Sequence, residues 1–181
     1  MDQKGSAAMN ESMKTILERR SIRQYKPEHV SAEELDYILQ AGVYAPTSSN
    51  HQDTKFVIVR KPELLAKISR MNAAVNGAAG DPFYGAPDLI IVFADSNLPN
   101  WKQDGALAMG NMMNMAKAQG IGSCWINRAY EVFETEEGRA LAREWGLPES
   151  YKGVGNMILG YPDCEDPKPS ERKPDRFYFA E

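Results

Sequence analysis

One segment of the chain predicts a helix that has to be covered on nearly every side. Residues 105–118 are alanine, leucine, methionine, glycine and asparagine, with Lys117 as their one charge. A helix that is apolar nearly all round is stable where it is buried on nearly all sides. One small domain has limited means to cover residues 107–115, so the segment predicts a large apolar interface between two copies of the chain. Gly120 is placed to end this helix in a left-handed cap.

The other elements predict an α+β domain, with helices around a sheet of four or five strands. Helices are predicted to begin at Asn10, at the capping box of Ser31 and Glu34, at Pro62 and at Thr135. Strands are predicted at residues 56–59, 89–94, 123–126 and 154–159, with 176–179 as a further edge strand. Residues 72–85 predict a loop rich in glycine and asparagine. Because the strands do not alternate evenly with helices, a doubly wound fold is not required.

Length and charge narrow the class of protein. A chain of 181 residues suits one domain, residues 1–181, and its net charge of −4 provides no basic face for nucleic acid and no attraction to an anionic membrane. No apolar run is long enough to span a bilayer.

Residues 1–9 lack the apolar stretch of a secretory signal and are predicted to be a flexible N-terminus. Cys124 and Cys164 are far apart, which favours reduced thiols and a cytoplasmic protein.

Several standard sites are excluded by their missing residues. The pair Gly120-x-Gly122 lacks the third glycine of a dinucleotide fingerprint, because Trp125 stands at that position. The chain also has no phosphate-binding P-loop and no G-x-S-x-G elbow. His29 and His51 have no second ligand at metal spacing. We therefore predict no metal site and interpret both as solvated loop histidines.

An arginine cluster is the first candidate binding site. Arg19, Arg20 and Arg23 lie within five residues, with the hydroxyl of Ser21 between them. Guanidinium groups offer paired donors that match phosphate oxygens, so the cluster suits a phosphate and an attached polyol. The alternative is a solvated basic end of the first helix, which would complement its dipole.

Two further segments are rich in groups that could line a flat ligand. Residues 45–52 carry short hydrogen-bonding side chains that can contact the nitrogens and carbonyls of a heteroaromatic ring, although such residues also form ordinary turns. Residues 120–126 bring glycines into a strand, which lets backbone N–H groups approach a ligand closely. The alternative for the second segment is a helix stop followed by a core strand.

In this order, the three segments resemble the nitroreductase family. The N-terminal half of the family is matched by Arg-Arg-Ser-Ile-Arg at 19–23, by Ala41-Gly42-x-x-Ala45-Pro46, by Asn50-x-Gln52 and by the strand at 56–59. The C-terminal half is matched by Gly-Ile-Gly-Ser-x-Trp-Ile at 120–126 and by Leu159-Gly160-Tyr161-Pro162. The resemblance covers the chain from about Glu18 onward. It implies an α+β sandwich with a mostly antiparallel central sheet, and an obligate homodimer with two FMN molecules at the subunit interface.

The resemblance also implies which residues bind FMN. Arg19, Ser21 and Arg23 match positions that hold the phosphate and ribityl chain, with Arg20 as a further contact. The loop that the partner lays against the flavin is matched by Pro46, Thr47, Ser48, Asn50 and, from the same motif, Gln52. Gly122 and Ser123 match the segment that faces the reactive edge of the flavin. Arg172 matches a basic residue that closes on the phosphate, with Lys173 as its substitute. The tail, residues 167–181, would reach the partner subunit. Asp53-Thr54 stands where the family usually has Pro-Trp, so the packing near the flavin is expected to differ.

The implied activity is reduction of a small conjugated acceptor. Hydride would pass from NADH or NADPH to the flavin N5 and then, by a ping-pong mechanism, to a quinone, a nitroaromatic or a similar aromatic substrate. The flavin carries this chemistry, so no side chain is predicted to act as a catalytic acid, base or nucleophile. Two alternatives remain open: a flavin enzyme of another reaction on the same fold, such as FMN fragmentation or reductive dehalogenation, and a non-catalytic FMN-binding redox sensor.

Overall fold

Six α-helices, one short 3₁₀ turn and four strands make up residues 9–180, the part of the chain that the computed structural model describes. The helices are α1 (Glu11–Glu18), α2 (Ala32–Val43), α3 (Pro62–Asn76), α4 (Trp101–Ala118), α5 (Ala129–Glu134) and α6 (Glu136–Glu144). The strands are β1 (Lys55–Val59), β2 (Asp88–Asp95), β3 (Gly122–Ile126) and β4 (Tyr151–Gly160). Of the N-terminal segment predicted to be flexible, residues 1–8 lie outside the described residues.

The strands form one antiparallel sheet in the order β1-β2-β4-β3. Successive residues of a strand point to opposite faces, and β2 is buried on both. Leu89, Ile91 and Phe93 pack with residues of α3, α5 and α6, while Ile90 and Val92 pack with residues of α2 and α4. This two-sided burial explains why β2 is almost entirely apolar, and it confirms the predicted α+β class with an antiparallel sheet between helices.

The α4 helix is buried on one side in a single chain, so burial on nearly all sides stays a prediction that needs a second copy of the chain. Met109, Met112 and Ala116 face the sheet and α2, and are fully buried. On the opposite side, Leu107 is 48% exposed. The α1 helix lies along the same side of α4 and also leaves apolar side chains uncovered, since Ile16 is 61% exposed.

The predicted helix starts are confirmed by hydrogen bonds. The Asn10 side chain accepts from the N–H of Met13 at 2.9 Å, and Ser31 and Glu34 form the reciprocal capping box of α2. Tyr161, just after β4, also donates to Glu34 at 2.7 Å. The hydrogen bonds from Ser31 and Tyr161 lower the pKa of Glu34. The start of α2 is thereby tied to the end of β4.

Three local predictions need correction. The α3 helix continues to Asn76 and ends at Gly77 (φ 61°), because Met71 and Ala73 are buried against the core, so the loop predicted at 72–85 begins five residues later. The α5 helix was not predicted. Residues 176–179 form no strand within the described chain, and Phe177 is 85% exposed.

Candidate functional site

The arginine cluster lies directly beside the glycine-containing strand. Ser21 forms a bridge with Ser123 at the outer edge of β3, where the N–H of Ile22 donates to the carbonyl of Ser123 at 3.1 Å, and Tyr25 forms a bridge with Pro162 just after β4. Tyr25 donates to the carbonyl of Ile22 at 2.5 Å, and its burial raises its pKa well above the ordinary value. Two segments that are about 100 residues apart in the sequence are thereby joined, although each was weak evidence alone.

Gly122 is required by this close approach. A Cβ atom at position 122 would lie 2.9 Å from the Cβ of Ile22 and 3.0 Å from both of its γ carbons. Ile22 itself is only 2% exposed, so it has little room to move away. The glycine therefore has a packing role between the two segments, whatever it does toward a ligand.

A small cationic cavity lies where the two segments meet. It is lined by Arg19, Arg20, Ile22, Lys117, residues 120–123, Pro162 and Asp166. Arg20 is partly occupied, since its Nη1 donates to the carbonyls of Leu17 at 2.8 Å and of Arg19 at 2.7 Å. That is the helix-end role that the alternative interpretation predicted for the cluster. The Arg19 side chain forms no hydrogen bond or ion pair within residues 9–180, so its donors are available to an anion.

Two further cations have other partners. Arg23 does not line the cavity, and its guanidinium carbon lies 5.7 Å from the centre of the Tyr84 ring. Lys117 pairs with Asp166 at 2.5 Å. Lys117 was not assigned to a site from the sequence, where its signal was its position as the one charge of residues 105–118.

The second predicted segment forms a strained loop held by carboxylates. Ser49, Asn50 and Gln52 have φ values of 50°, 56° and 54°, and left-handed conformations of this kind are uncommon for residues other than glycine. The N–H of Ser48 donates to Asp104 at 3.0 Å. Asp53 is buried and accepts from the N–H of Asp95 at 3.3 Å. The polar side chains of the loop also bond to one another, through Gln52 N–H to Thr47 at 3.0 Å and Gln52 to Asn50 at 3.1 Å.

This loop does not reach the cationic cavity of its own chain. It is bound to Asp104 in the first turn of α4, whereas Lys117 of the cavity lies in the last turn. The two positions are thirteen residues apart on one helix, which corresponds to about 20 Å. The loop, including Pro46, therefore contributes to a different end of the molecule.

The tail residues also lie away from the cavity. Every residue from 165 to 180 is exposed, including Arg172 and Lys173. Neither side chain forms a hydrogen bond or ion pair with the rest of the described chain. Neither lines the cationic cavity of its own subunit, so their contact with a phosphate stays a prediction.

A second cavity of about 620 Å³ lies elsewhere, between α3 and residues 80–87. None of the predicted site residues lines it. His29, at its edge, is 2.7 Å from the buried carboxylate of Asp88, which Arg60 also contacts at 2.8 Å. His29 therefore joins the network of Asp88 and Arg60, and with its side chain 44% exposed it is also a solvated loop histidine, as predicted.

The described residues were compared with two other kinds of structure, a metal site and a membrane-spanning helix. No group of three or more His, Cys, Asp or Glu side chains in residues 9–180 is arranged to hold a metal ion. Within the same range, no helix combines the length and the apolar character that crossing a membrane would require.

Comparison with known proteins places this chain in one family. The sequence profile of the Nitroreductase family matches residues 16–79 and 71–161. A protein of Archaeoglobus fulgidus, provisionally named NADH dehydrogenase/NAD(P)H nitroreductase, is 35% identical over 175 residues, covering 93% of this chain and 94% of its own length. The FMN reductase [NAD(P)H] of Bacillus subtilis is 38% identical, with 85% of this chain and 67% of the relative covered.

Solved structures agree with this result. A nitroreductase with bound FMN from Bacteroides fragilis superposes with a TM-score of 0.85 at 30% identity, covering 95% of this chain and 100% of the other. The chain belongs to the nitroreductase family, as the motifs of its sequence predicted.

The contact between Ile22 and Gly122 can be tested by a double-mutant cycle. We expect Gly122→Ala to lower the free energy of unfolding by about 1–3 kcal/mol, because the added methyl group overpacks the junction. Ile22→Ala removes both γ carbons, so the double variant should be less destabilised than the sum of the two single variants. Denaturant unfolding of the four proteins measures this coupling, and strictly additive effects would contradict it.

Proposed function

We propose that this protein is an FMN-dependent NAD(P)H oxidoreductase that reduces quinones, nitroaromatics or similar conjugated acceptors. The observation that supports this most strongly is the junction of residues 19–23 with Gly122 and Ser123, which sets cationic side chains beside a glycine-containing strand edge. The family relatives include an FMN reductase and a structure with bound FMN. Quinones and nitroaromatics are the finer part of the proposal, and its support is the resemblance.

The residues of the junction suit the parts of FMN. Arg19 has free guanidinium donors for the phosphate, and Ser21, which forms a bridge with Ser123, has a hydroxyl for the ribityl chain. Gly122 and Ser123 offer a backbone edge without a bulky side chain at the first position. Bound FMN would supply the hydride acceptance and donation. The chain's own residues would hold and orient the cofactor, and the positive charge of Arg23 would stabilise negative charge nearby.

The proposed enzyme is a homodimer formed around the exposed side of α4. A two-fold axis across this helix would set the first turn of one copy beside the last turn of the other. The strained loop of one subunit, with Pro46, Thr47, Ser48, Asn50 and Gln52, would then meet the cationic cavity of its partner. The same arrangement would cover the exposed side chains of α1 and α4 and give the tail a subunit to pack against.

One domain, residues 1–181, would carry the whole reaction. With a single cavity of this kind proposed per subunit, donor and acceptor would use it in turn, which is the basis for proposing a ping-pong mechanism. We expect the protein to act in the cytoplasm, where Cys124 and Cys164, both free in the structure, would stay reduced.

The activity is tested by reducing the protein-bound flavin without oxygen. We expect NADH or NADPH to bleach the flavin absorbance, and a quinone or nitroaromatic added afterwards to restore it. Steady-state rates should give parallel lines in double-reciprocal plots. Intersecting lines would argue against ping-pong kinetics, and a flavin that neither nicotinamide reduces would contradict the proposed activity.

The dimer is tested by placing a charge on the exposed side of α4. Leu107→Arg should convert a dimer of twice 20.2 kDa into a folded monomer with weakened FMN binding, because a buried unpaired charge is costly in an apolar interface. Ala74→Arg, on the exposed side of α3 across the sheet, is the matched control and should remain dimeric. Sedimentation velocity with and without FMN distinguishes the outcomes. A wild type that is monomeric with FMN bound would refute the arrangement.

The phosphate contact predicts a difference between two flavins. Arg19→Ala should weaken FMN binding about ten- to a hundredfold, since a hydrogen bond to a charged group contributes about 1.5–3 kcal/mol. Riboflavin, which lacks the phosphate, should bind to wild type and variant with nearly equal affinity. Flavin fluorescence titrations of both apoproteins measure this. If Arg19 only stabilised the end of α1, both flavins would weaken together and the apoprotein would melt at a lower temperature.

A further inference from the structure

An ion pair at the end of α4 lies inside the cationic cavity. The ammonium group of Lys117 is 2.5 Å from a carboxylate oxygen of Asp166, with the two side chains 23% and 49% exposed. Both residues line the cavity together with Arg19. Asp166 is the one acidic residue among those that line it. The carboxylate of the chain itself therefore occupies the side of the cavity next to Lys117.

The cations of the cavity are not equally available to a ligand. Arg20 donates to two backbone carbonyls, and the Arg19 side chain has no partner within residues 9–180. A phosphate monoester carries between one and two negative charges near neutral pH and has three acceptor oxygens. The Arg19 guanidinium alone matches only part of that charge. Lys117 is the third cation of the cavity, and it is paired with a group that a phosphate could replace.

We propose that Lys117 is a further phosphate-binding residue and that Asp166 is an internal competitor for the same position. The inference rests on the proposed FMN function. When the FMN phosphate enters, its oxygens take the place of the Asp166 carboxylate on Lys117. Because the pair is partly exposed, breaking it costs little, whereas a more highly charged phosphate gains contacts to Lys117 and Arg19 at once.

A purely structural ion pair makes a different prediction for the two partners. If the pair only fastened the chain after β4 to α4, removal of either side chain would have the same effect. If Asp166 competes with phosphate, removal of the two partners must change the affinity in opposite directions. The sign of the change, rather than its size, is therefore decisive.

The experiment titrates full-length apoproteins with FMN and with riboflavin. Lys117→Met should weaken FMN binding about tenfold or more through loss of a charged contact. Asp166→Asn should tighten it by up to about fivefold, the range expected for release of an exposed ion pair. Riboflavin affinity should be unchanged in both variants. Inorganic phosphate should compete with FMN more strongly in Asp166→Asn than in wild type.

The chain provides a matched control pair. Lys152 and Glu134 are 2.8 Å apart and similarly placed, with the side chains 20% and 31% exposed, but they lie outside the cationic cavity. Lys152→Met and Glu134→Gln should bind FMN as wild type does, which separates a local effect from a change in net charge.

The outcomes separate this inference from the proposed function. If wild type binds FMN and is reduced by NAD(P)H, but both cavity variants bind FMN with wild-type affinity or both weaken it, the inference is overturned and the function stands. If wild type binds neither flavin, the proposed function fails, and this inference fails with it.

Discussion

The close contact between Ile22 and Gly122 is the constraint on which the rest of the site depends. An extended segment can lie against the edge of β3 only because position 122 has no side chain, since a Cβ atom there would come within 2.9 Å of Ile22. The backbone hydrogen bond from Ile22 to Ser123 then fixes the register of the arginine cluster. Arg19, Ser21 and Arg23 project from positions that this register determines. The cationic cavity thus depends on the close packing of Ile22 against Gly122.

The α4 helix sets the distance between the two halves of the proposed cofactor site. Asp104 in its first turn holds the strained loop, and Lys117 in its last turn lines the cavity. At about 1.5 Å of rise per residue, the helix keeps them about 20 Å apart in one chain. Its buried side packs against the sheet and its other side is exposed, so a second copy that covers the exposed side would bring opposite ends together. Formation of the dimer would then bury the exposed apolar side of α4 and complete the cofactor site at the same time.

The strained loop shows how buried carboxylates support an unfavourable backbone. Left-handed conformations at Ser49, Asn50 and Gln52 cost roughly 1–3 kcal/mol each and persist because the surrounding contacts determine them. Asp104 binds the N–H of Ser48, and Asp53 anchors the far end of the loop beneath β2. Asp53, which stands where the family usually has proline, is thus a buried anchor.

The sequence alone determined the elements whose signals are local. Capping residues such as Asn10 and Ser31 act within one helical turn, and the alternation of faces in residues 89–94 depends only on strand geometry, so the helix starts, the four strands and the family were predictable.

Tertiary structure decided what depends on distant contacts. The extension of α3 to Asn76 follows from burial of Met71, the contact of His29 needs Asp88 from β2, and Arg20 proved to be bonded to its own helix end. Lys117 and Asp166 meet only because α4 and the chain after β4 end at the same cavity. Periodicity and capping depend on neighbouring residues and are therefore visible in the sequence. An ion pair between residues 49 positions apart forms only after the fold has brought the two side chains together.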